Sequence, residues 1–296
     1  ASHDKTLAME TMAAGLAKVV KDLHDAGRLG GILGLAGSGG TSIAARAMRG
    51  LPIGVPKVMA STVGGGDVSA YVGTSDVTMM PTVVDVAGIN SISRQIYANA
   101  AGAIAGMVSQ ELPAVAEAKP LITASMFGNT TQCVSRAQKG LEAEGYEVLV
   151  FHATGNGGRT MESLIDSGFI TASLDLTTTE LADYVCGGVM SAGPERMLAA
   201  ARAGIPTVLA PGCVDMCNFW GIETVPPQYR DRNLYQWNPN VTLMRTTVDE
   251  NIRMGQLIAA AANAATGPVA ILLPLKGVSQ LDSPGGMYWD PAADAA

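Results

Sequence analysis

The stretch Gly34-Leu-Ala-Gly-Ser-Gly-Gly-Thr-Ser42 decides how this chain is read. An apolar run, Leu29 to Leu35, leads into it, and Ile43-Ala-Ala-Arg-Ala-Met48 follows with the composition of a helix. A strand, a glycine-rich turn and a helix start bring several backbone N–H groups to one point, which favours an anion and most often a phosphate. The turn has neither the lysine of a P-loop nor the spacing of a G-x-G-x-x-G dinucleotide fingerprint. Gly37, Ser38, Gly39, Gly40 and Thr41 therefore read either as an anion cradle or as a purely structural tight turn.

The composition sets the class. Of 296 residues, 48% are apolar and 15% charged, with 35 glycines. That balance suits an α/β protein with many tight strand-to-helix turns. A net charge of −7 and the lack of any Lys/Arg run speak against nucleic acid as the main partner. No apolar stretch approaches the ~18 residues of a membrane span, and no signal peptide is visible. Cys133, Cys186, Cys213 and Cys217 show no disulfide-framework spacing, so the expected compartment is the cytoplasm. The chain opens without an initiator Met, which points to a processed, trimmed or partial sequence.

Along the chain, a helical apolar stripe over 5–26 precedes a strand near 30–36, and further strands are expected at 56–61 and 76–80. The Ala-rich segment from Ile89 to Val108 reads as a long buried helix whose Gly102 and Gly106 permit close packing. Pro113 to Pro120 reads as a linker. Beyond it, strands are expected at 121–126, 147–152, 171–176, 206–210, 241–243 and 269–273. The helices between them are expected at 132–144, 159–167, 179–203 (broken near 187–194) and 248–264. Such alternation implies βαβ crossovers and parallel sheets. The simplest architecture is two Rossmann-like parallel-sheet subdomains, residues 1–116 and 117–296, with a ligand cleft between them. Residues 211–240 have no clear periodicity and read as a long functional loop or partner surface.

Ligands of parallel sheets sit beyond the carboxyl ends of the strands, and the turns expected there are unusually polar. The Ser61–Asp67 turn, with Gly65, neighbours the glycine loop. Thr130 and Thr131, Gly157 and Arg159, and Thr178 offer hydroxyl, backbone and guanidinium donors for a phosphorylated or carboxylate substrate. His152 reads as a general acid/base or phosphate donor, or as a hydrogen-bonded structural histidine. Asp175 at a strand end reads as a base or metal ligand. Glu180 reads as a third proton-transfer candidate, or as the acidic complement of a helix N-terminus. Cys213 and Cys217 lack a second Cys/His pair, so no metal site is expected from them. Cys133 at a helix start reads as a small buried thiol or one with a lowered pKa.

Several stretches together carry a family resemblance. They are Gly34-Leu-Ala-Gly-Ser-Gly-Gly-Thr41, Leu51-Pro-Ile-Gly-Val-Pro-Lys-Val-Met59, Tyr71-Val-Gly-Thr-Ser-Asp76 and Asp85-Val-Ala-Gly-Ile-Asn90. Further on come Phe151-His-Ala-Thr-Gly155, Leu174-Asp-Leu-Thr-Thr-Thr-Glu180 and Leu272-Leu-Pro-Leu-Lys-Gly-Val-Ser279. Over nearly its whole length the chain resembles an uncharacterised bacterial and fungal family that includes the inhibitor domain of a plant tobamovirus-resistance protein, the Tm-one-like ATP-binding family. The resemblance implies two Rossmann-like subdomains, a homodimer, and ATP, with Mg²⁺ as its companion, in the N-terminal subdomain. It carries over to Gly37, Ser38, Gly39, Gly40 and Thr41, with the Ser61–Asp67 turn beside them. It also implies a further strand and helix, with a Thr/Asp/Lys-containing turn, ahead of this region. Two functions follow as expectations. One is an enzyme acting on a nucleotide or phosphorylated small molecule, with His152, Asp175, Glu180 and Arg159 facing the glycine loop across the cleft. The other is a non-catalytic, ATP-responsive dimer that binds a protein partner.

Overall fold

The computed structural model describes residues 4–111 and 118–296. They fall into two compact units divided between residues 115 and 116. Residues 113–117 of the expected linker, and the expected 116/117 boundary with them, lie outside the described residues.

Unit 1 runs α1 (Lys5–Asp25), β1 (Ile32–Ala36), α2 (Ser38–Arg49), β2 (Lys57–Ser61), α3 (Ser69–Val72), β3 (Thr78–Pro81) and α4 (Ser91–Ser109). Its sheet has the order β1-β2-β3 with parallel pairing throughout. β2 is central and buried at every position, including Lys57. The Lys57 ammonium satisfies itself there by donating to the Pro52 and Val55 carbonyls and to Asp76 at 2.6 Å. Two expectations change. Helix α2 starts at Ser38, so Ser38-Gly-Gly-Thr41 is its first turn and not a loop ahead of it. Helix α4 is not a buried helix: only Ser93 and Ala100 are buried, and nothing lies within 4 Å of where Gly102 or Gly106 would carry a Cβ. A helix laid on a three-stranded sheet buries one narrow stripe and leaves the rest open.

Unit 2 runs β4 (Leu121–Met126), α5 (Thr131–Ala143), β5 (Glu147–His152), α6 (Asn156–Asp166), β6 (Ile170–Thr177), α7 (Thr179–Cys186), α8 (Leu198–Ala203) and β7 (Thr207–Gly212). It continues with β8 (Met216–Phe219), β9 (Leu234–Asn238), β10 (Val241–Arg245), α9 (Val248–Ala264), β11 (Val269–Ile271) and α10 (Pro291–Asp294). The parallel sheet has the order β11-β7-β6-β4-β5. Counted along the chain this is the doubly wound order 2-1-3-4-5, whose direction reverses between β4 and β6. The alternation of strand and helix thus gives the expected Rossmann-like α/β architecture. Val241–Leu243 departs from it, since β10 pairs antiparallel with β8 and β9 in a separate sheet. Residues 211–240 are accordingly not one long loop. β8 shows no strand periodicity in the sequence because all four of its residues are buried, which erases the two-residue alternation of a half-buried strand.

The join between α7 and β8 is polar and buried. Asp183 accepts from the N–H groups of Met190 and Asn218 and, at 2.6 Å, from the Asn218 side chain. Burial outweighs these donors and pushes its pKa up to about 7. Burial, assisted by Asp282, raises Asp215 to about 7 as well, against its hydrogen bond from Ser279. A carboxyl raised in this way binds more protons folded than unfolded. Its contribution to stability is complete below the unfolded value of 3.8 and is lost as pH rises through about 7. Urea unfolding should therefore lose up to ~1.4 kcal/mol per pH unit per group in that window. Asp183→Asn should flatten the profile, with Asn218, whose Oδ1 has no partner, turning its amide to accept. An unchanged slope in that variant would place the titration elsewhere.

Candidate functional site

In unit 1 a cavity of about 500 Å³ lies at the carboxyl ends of the strands, lined by Gly37, Ser38, Thr62, Gly65 and residues 81–85. Gly37 is the N-cap of α2 in an extended conformation, and no side chain caps the helix. The first N–H groups of α2 have no partner within the helix. Close packing accounts for the glycines behind them: a Cβ on Gly40 would stand 2.7 Å from that of Ala36, and one on Gly39 would stand 3.3 Å from the Met9 methyl. Thr41 and Ser61 are buried and bonded to each other at 2.6 Å. Thr41 also donates to the Gly37 carbonyl, and Ser61 accepts from Val63. These two hydroxyls clamp α2 to β2 from behind the cavity. Asp67 is outside the lining and accepts from Ser69, whose donors hold its carboxyl below the usual range.

The segment after β3 also lines the cavity, and the sequence carries no signal for it. Thr82 is buried and donates to the Val84 carbonyl, while the exposed Val83 takes φ +63. A β-branched residue at positive φ is a genuine outlier of order 1–3 kcal/mol. Asp85 supplies the one ionisable side chain on the lining. No feature of composition signals such a backbone.

In unit 2 a cavity of about 580 Å³ opens where the strand order reverses. Asn129, Thr130, Gln132 and Cys133 line it after β4, Leu176, Ala210 and Gly212 line it at the ends of β6 and β7, and residues 272–274, 277–280 and 283 close it. No lining residue is charged. The Thr130 hydroxyl is taken by Thr177 at 2.7 Å and by Phe127, and that of Thr131 by the Phe127 and Gly128 carbonyls. No side chain caps α5. Cys133 is exposed, against the buried thiol expected. Ser279 donates to Asp215 at 2.8 Å and accepts from Leu281 and Asp282, and Thr178 donates to the Ala210 carbonyl.

Two of the remaining predicted residues, Asp175 and Glu180, meet at a buried guanidinium. Arg196 binds Asp175 through two nitrogens at 2.5 and 2.8 Å, Glu180 at 2.6 Å and Glu162 at 3.2 Å. Asp175 also accepts from Ser125, and Glu180 accepts from the N–H groups of Gly155 and Gly158. Burial raises the Glu162 pKa although Arg196 opposes it. Burial also opposes the charge on Arg196, but its carboxylate partners prevail and hold it well above its ordinary value. His152, at the end of β5, is exposed and stacked on Phe127 with ring centroids 5.3 Å apart. A Cβ on Gly157 would fall 1.8 Å from the His152 carbonyl oxygen, so only glycine fits there. Arg159 is exposed and donates to the Ser191 carbonyl.

Parallel sheets with cavities at their strand ends define a Rossmann-like α/β protein of two units. The chain belongs to the uncharacterised protein family UPF0261, whose N-terminal domain matches residues 1–113 and whose C-terminal domain matches residues 119–296. It is 53% identical over 293 residues to a UPF0261 protein of Clostridium tetani, covering 99% of this chain and 72% of that protein. It is 48% identical over 294 residues to one of Rhizobium meliloti, covering 99% of this chain and 73% of the relative. The ToMV resistance protein Tm-1(GCR237) of Solanum lycopersicum is 46% identical over 292 residues, which span 97% of this chain but 39% of the tomato protein. No helix among the described residues is long and apolar enough to cross a membrane.

Removing the centre of the carboxylate cluster should be severe. Arg196→Ala leaves three carboxylates buried without their cation, and urea denaturation should record a loss of about 3–5 kcal/mol. Hydrogen exchange should show residues 155–159 losing protection first, because Glu180 no longer holds them.

Proposed function

We propose that unit 1 binds a phosphorylated small molecule, foremost a nucleotide such as ATP, at the N-terminus of α2. The observation that carries this reading is the uncapped first turn of α2, opening on a cavity of about 500 Å³ at the carboxyl ends of β1, β2 and β3. Backbone N–H groups and the helix dipole suit a phosphate there, and glycine lets it approach the backbone. The cavity lies within the size range of small-molecule sites. Asp85 on the lining would repel a bare polyphosphate. Mg²⁺ fits this donor set, because it is commonly held by one or two carboxylates together with substrate phosphates. The ligand is then the magnesium complex, with Asp85 on the cation and the α2 N-terminus on a phosphate. Asp85 is the one ionisable lining residue, so the reading is one of binding rather than turnover in this cavity. Among the proton-transfer candidates, Asp175 and Glu180 are engaged with Arg196, which leaves the exposed His152 as the group for any chemistry in unit 2.

MgATP should raise the melting temperature, with a stabilisation of about 2.7 kcal/mol at a hundredfold excess over Kd. Ser38→Asp places a carboxylate where it favours the helix, so the unliganded protein should melt no lower, while MgATP affinity should fall at least ~10-fold. Asp85→Asn should remove the dependence of ATP binding on Mg²⁺. Absence of any calorimetric heat or thermal shift with MgATP at millimolar concentration would sink the reading.

A further inference from the structure

The loop that closes the unit 2 cavity is held in place by acids. Residues 277–280 and 283 line that cavity, and the segment 276–288 contains neither helix nor strand. Within it Ser279 bridges the Asp215 carboxyl and the N–H groups of Leu281 and Asp282. Asp282 accepts from the N–H of Val278 at 2.9 Å and from that of Asp290 at 3.3 Å. Asp282 and Asp294 reach the same Arg245 nitrogen, Nη2, at 3.4 and 3.2 Å. One guanidinium therefore stands among three carboxyls: Asp215 from the turn between β7 and β8, Asp282 from the loop, and Asp294 from α10. One oxygen of Asp215 and one of Asp294 are buried without a donor, which favours the protonated acid. Asp294 is also hydrogen-bonded to Asp282, and two carboxyls bond only if one of them keeps its proton. Burial, that bond and the Asp282 charge raise Asp294 to about 6, beside Asp215 at about 7. Burial also pushes up the Cys213 thiol and the hydroxyl of Tyr288, which lies beside Tyr235 of β9, so both stay neutral. Glu250 on α9 is paired with Arg232, and the Asp290 carboxyl caps α10.

We infer that Asp215, Asp282 and Asp294 form a pH-sensitive latch on the loop 277–283, closed over the unit 2 cavity while Asp215 and Asp294 hold their protons and loosened as they ionise. In the closed form Asp282 alone is charged and Arg245 balances it. Full ionisation sets three carboxylates against one guanidinium in a place with little water to screen them. The loop has no helix or strand of its own to resist that repulsion. An acid whose pKa is raised in the closed form binds its proton more tightly there than in the open form. Closure is therefore firmest below the ordinary value of 3.8 and weakens as pH rises through about 6 and about 7. Within that window each acid favours opening by up to ~10-fold per pH unit, and above it the effect levels off. The latch is independent of the nucleotide reading for unit 1.

The test is amide hydrogen exchange of the whole chain at pH 5 and pH 7, each rate corrected for the intrinsic pH dependence of exchange. The amides of Val278, Leu281 and Asp282 report the latch, because their acceptors are Asp282 and Ser279. Their protection should fall ~10-fold or more between the two pH values. Asparagine keeps the donor of a protonated acid and cannot ionise. Asp294→Asn should make the fall several-fold smaller, and Asp215→Asn combined with Asp294→Asn should abolish it. Asp183→Asn, which removes the other raised carboxyl of this unit, should leave the fall at the loop as it is. Should the double variant misfold, Asp294→Asn alone decides, since Asp294 sits at the partly exposed edge of the cluster. Protection that does not change with pH overturns the proposal. So does a fall that persists undiminished in the Asp294 variant, or one that Asp183→Asn removes.

Discussion

Arg196 carries one positive charge into the interior of unit 2, where it meets Glu162 from α6, Asp175 from β6 and Glu180 from α7. Attraction between buried ions is largely offset by the cost of removing them from water, and here the carboxylates outnumber the cation. The balance is made up by other donors. Glu162 takes the N–H groups of Met197 and Ala199, Glu180 those of Gly155 and Gly158, and Asp175 the hydroxyl of Ser125. Each carboxylate thereby joins two segments distant in sequence. The strand ends, the turn after β5 and the start of α8 are held as one object. Gly158 belongs to this constraint, since a Cβ there would lie 2.1 Å from a Glu180 oxygen.

The same economy runs through both units. Lys57 and Asp76 pair inside unit 1, and Thr41 bonds Ser61 behind the glycine turn. In unit 2, Thr130 bonds Thr177, Thr178 is tied to the β7 backbone, and the carboxylates close on Arg196. Polar side chains near the strand ends are used largely for holding the frame. The cavities are left with backbone donors, amides and few charges. The difference between the cavities lies in Asp85, present on one lining and without an ionised counterpart on the other.

Local signals were legible in the sequence. The apolar run into a glycine turn marked β1 and α2, and alternating runs marked the parallel strands of unit 2 to within a few residues. Three things were hidden for physical reasons. β8 is buried on both faces and so shows no periodicity. Val83 is strained by its surroundings, which composition does not encode. The partners of Arg196 lie 16, 21 and 34 residues away, beyond any helical or strand spacing. Asp175 and Glu180 stood out as strand-end acids, but nothing near them in sequence announced the cation that engages them.

Helix termini separate frame from site. Six of the described helices are longer than eight residues: α1, α2, α4, α5, α6 and α9. α1, α4 and α9 are capped by their own Asp4, Asn90 and Thr247. α6 starts at a glycine, but Glu180 reaches across to take the N–H groups of Gly155 and Gly158. Only α2 and α5 among the six have no side chain bonded to their first turn, and the first turns of both line cavities at strand ends. Leaving a cap out costs about 1 kcal/mol, whereas the glycines in the first turn of α2 are required by its packing against Ala36 and Met9. Elsewhere this chain supplies the cap, even from a distant residue. Local rules broken together at one place mark a functional position more than an accident of folding. The two bare helix ends are therefore the surfaces on which binding is to be sought.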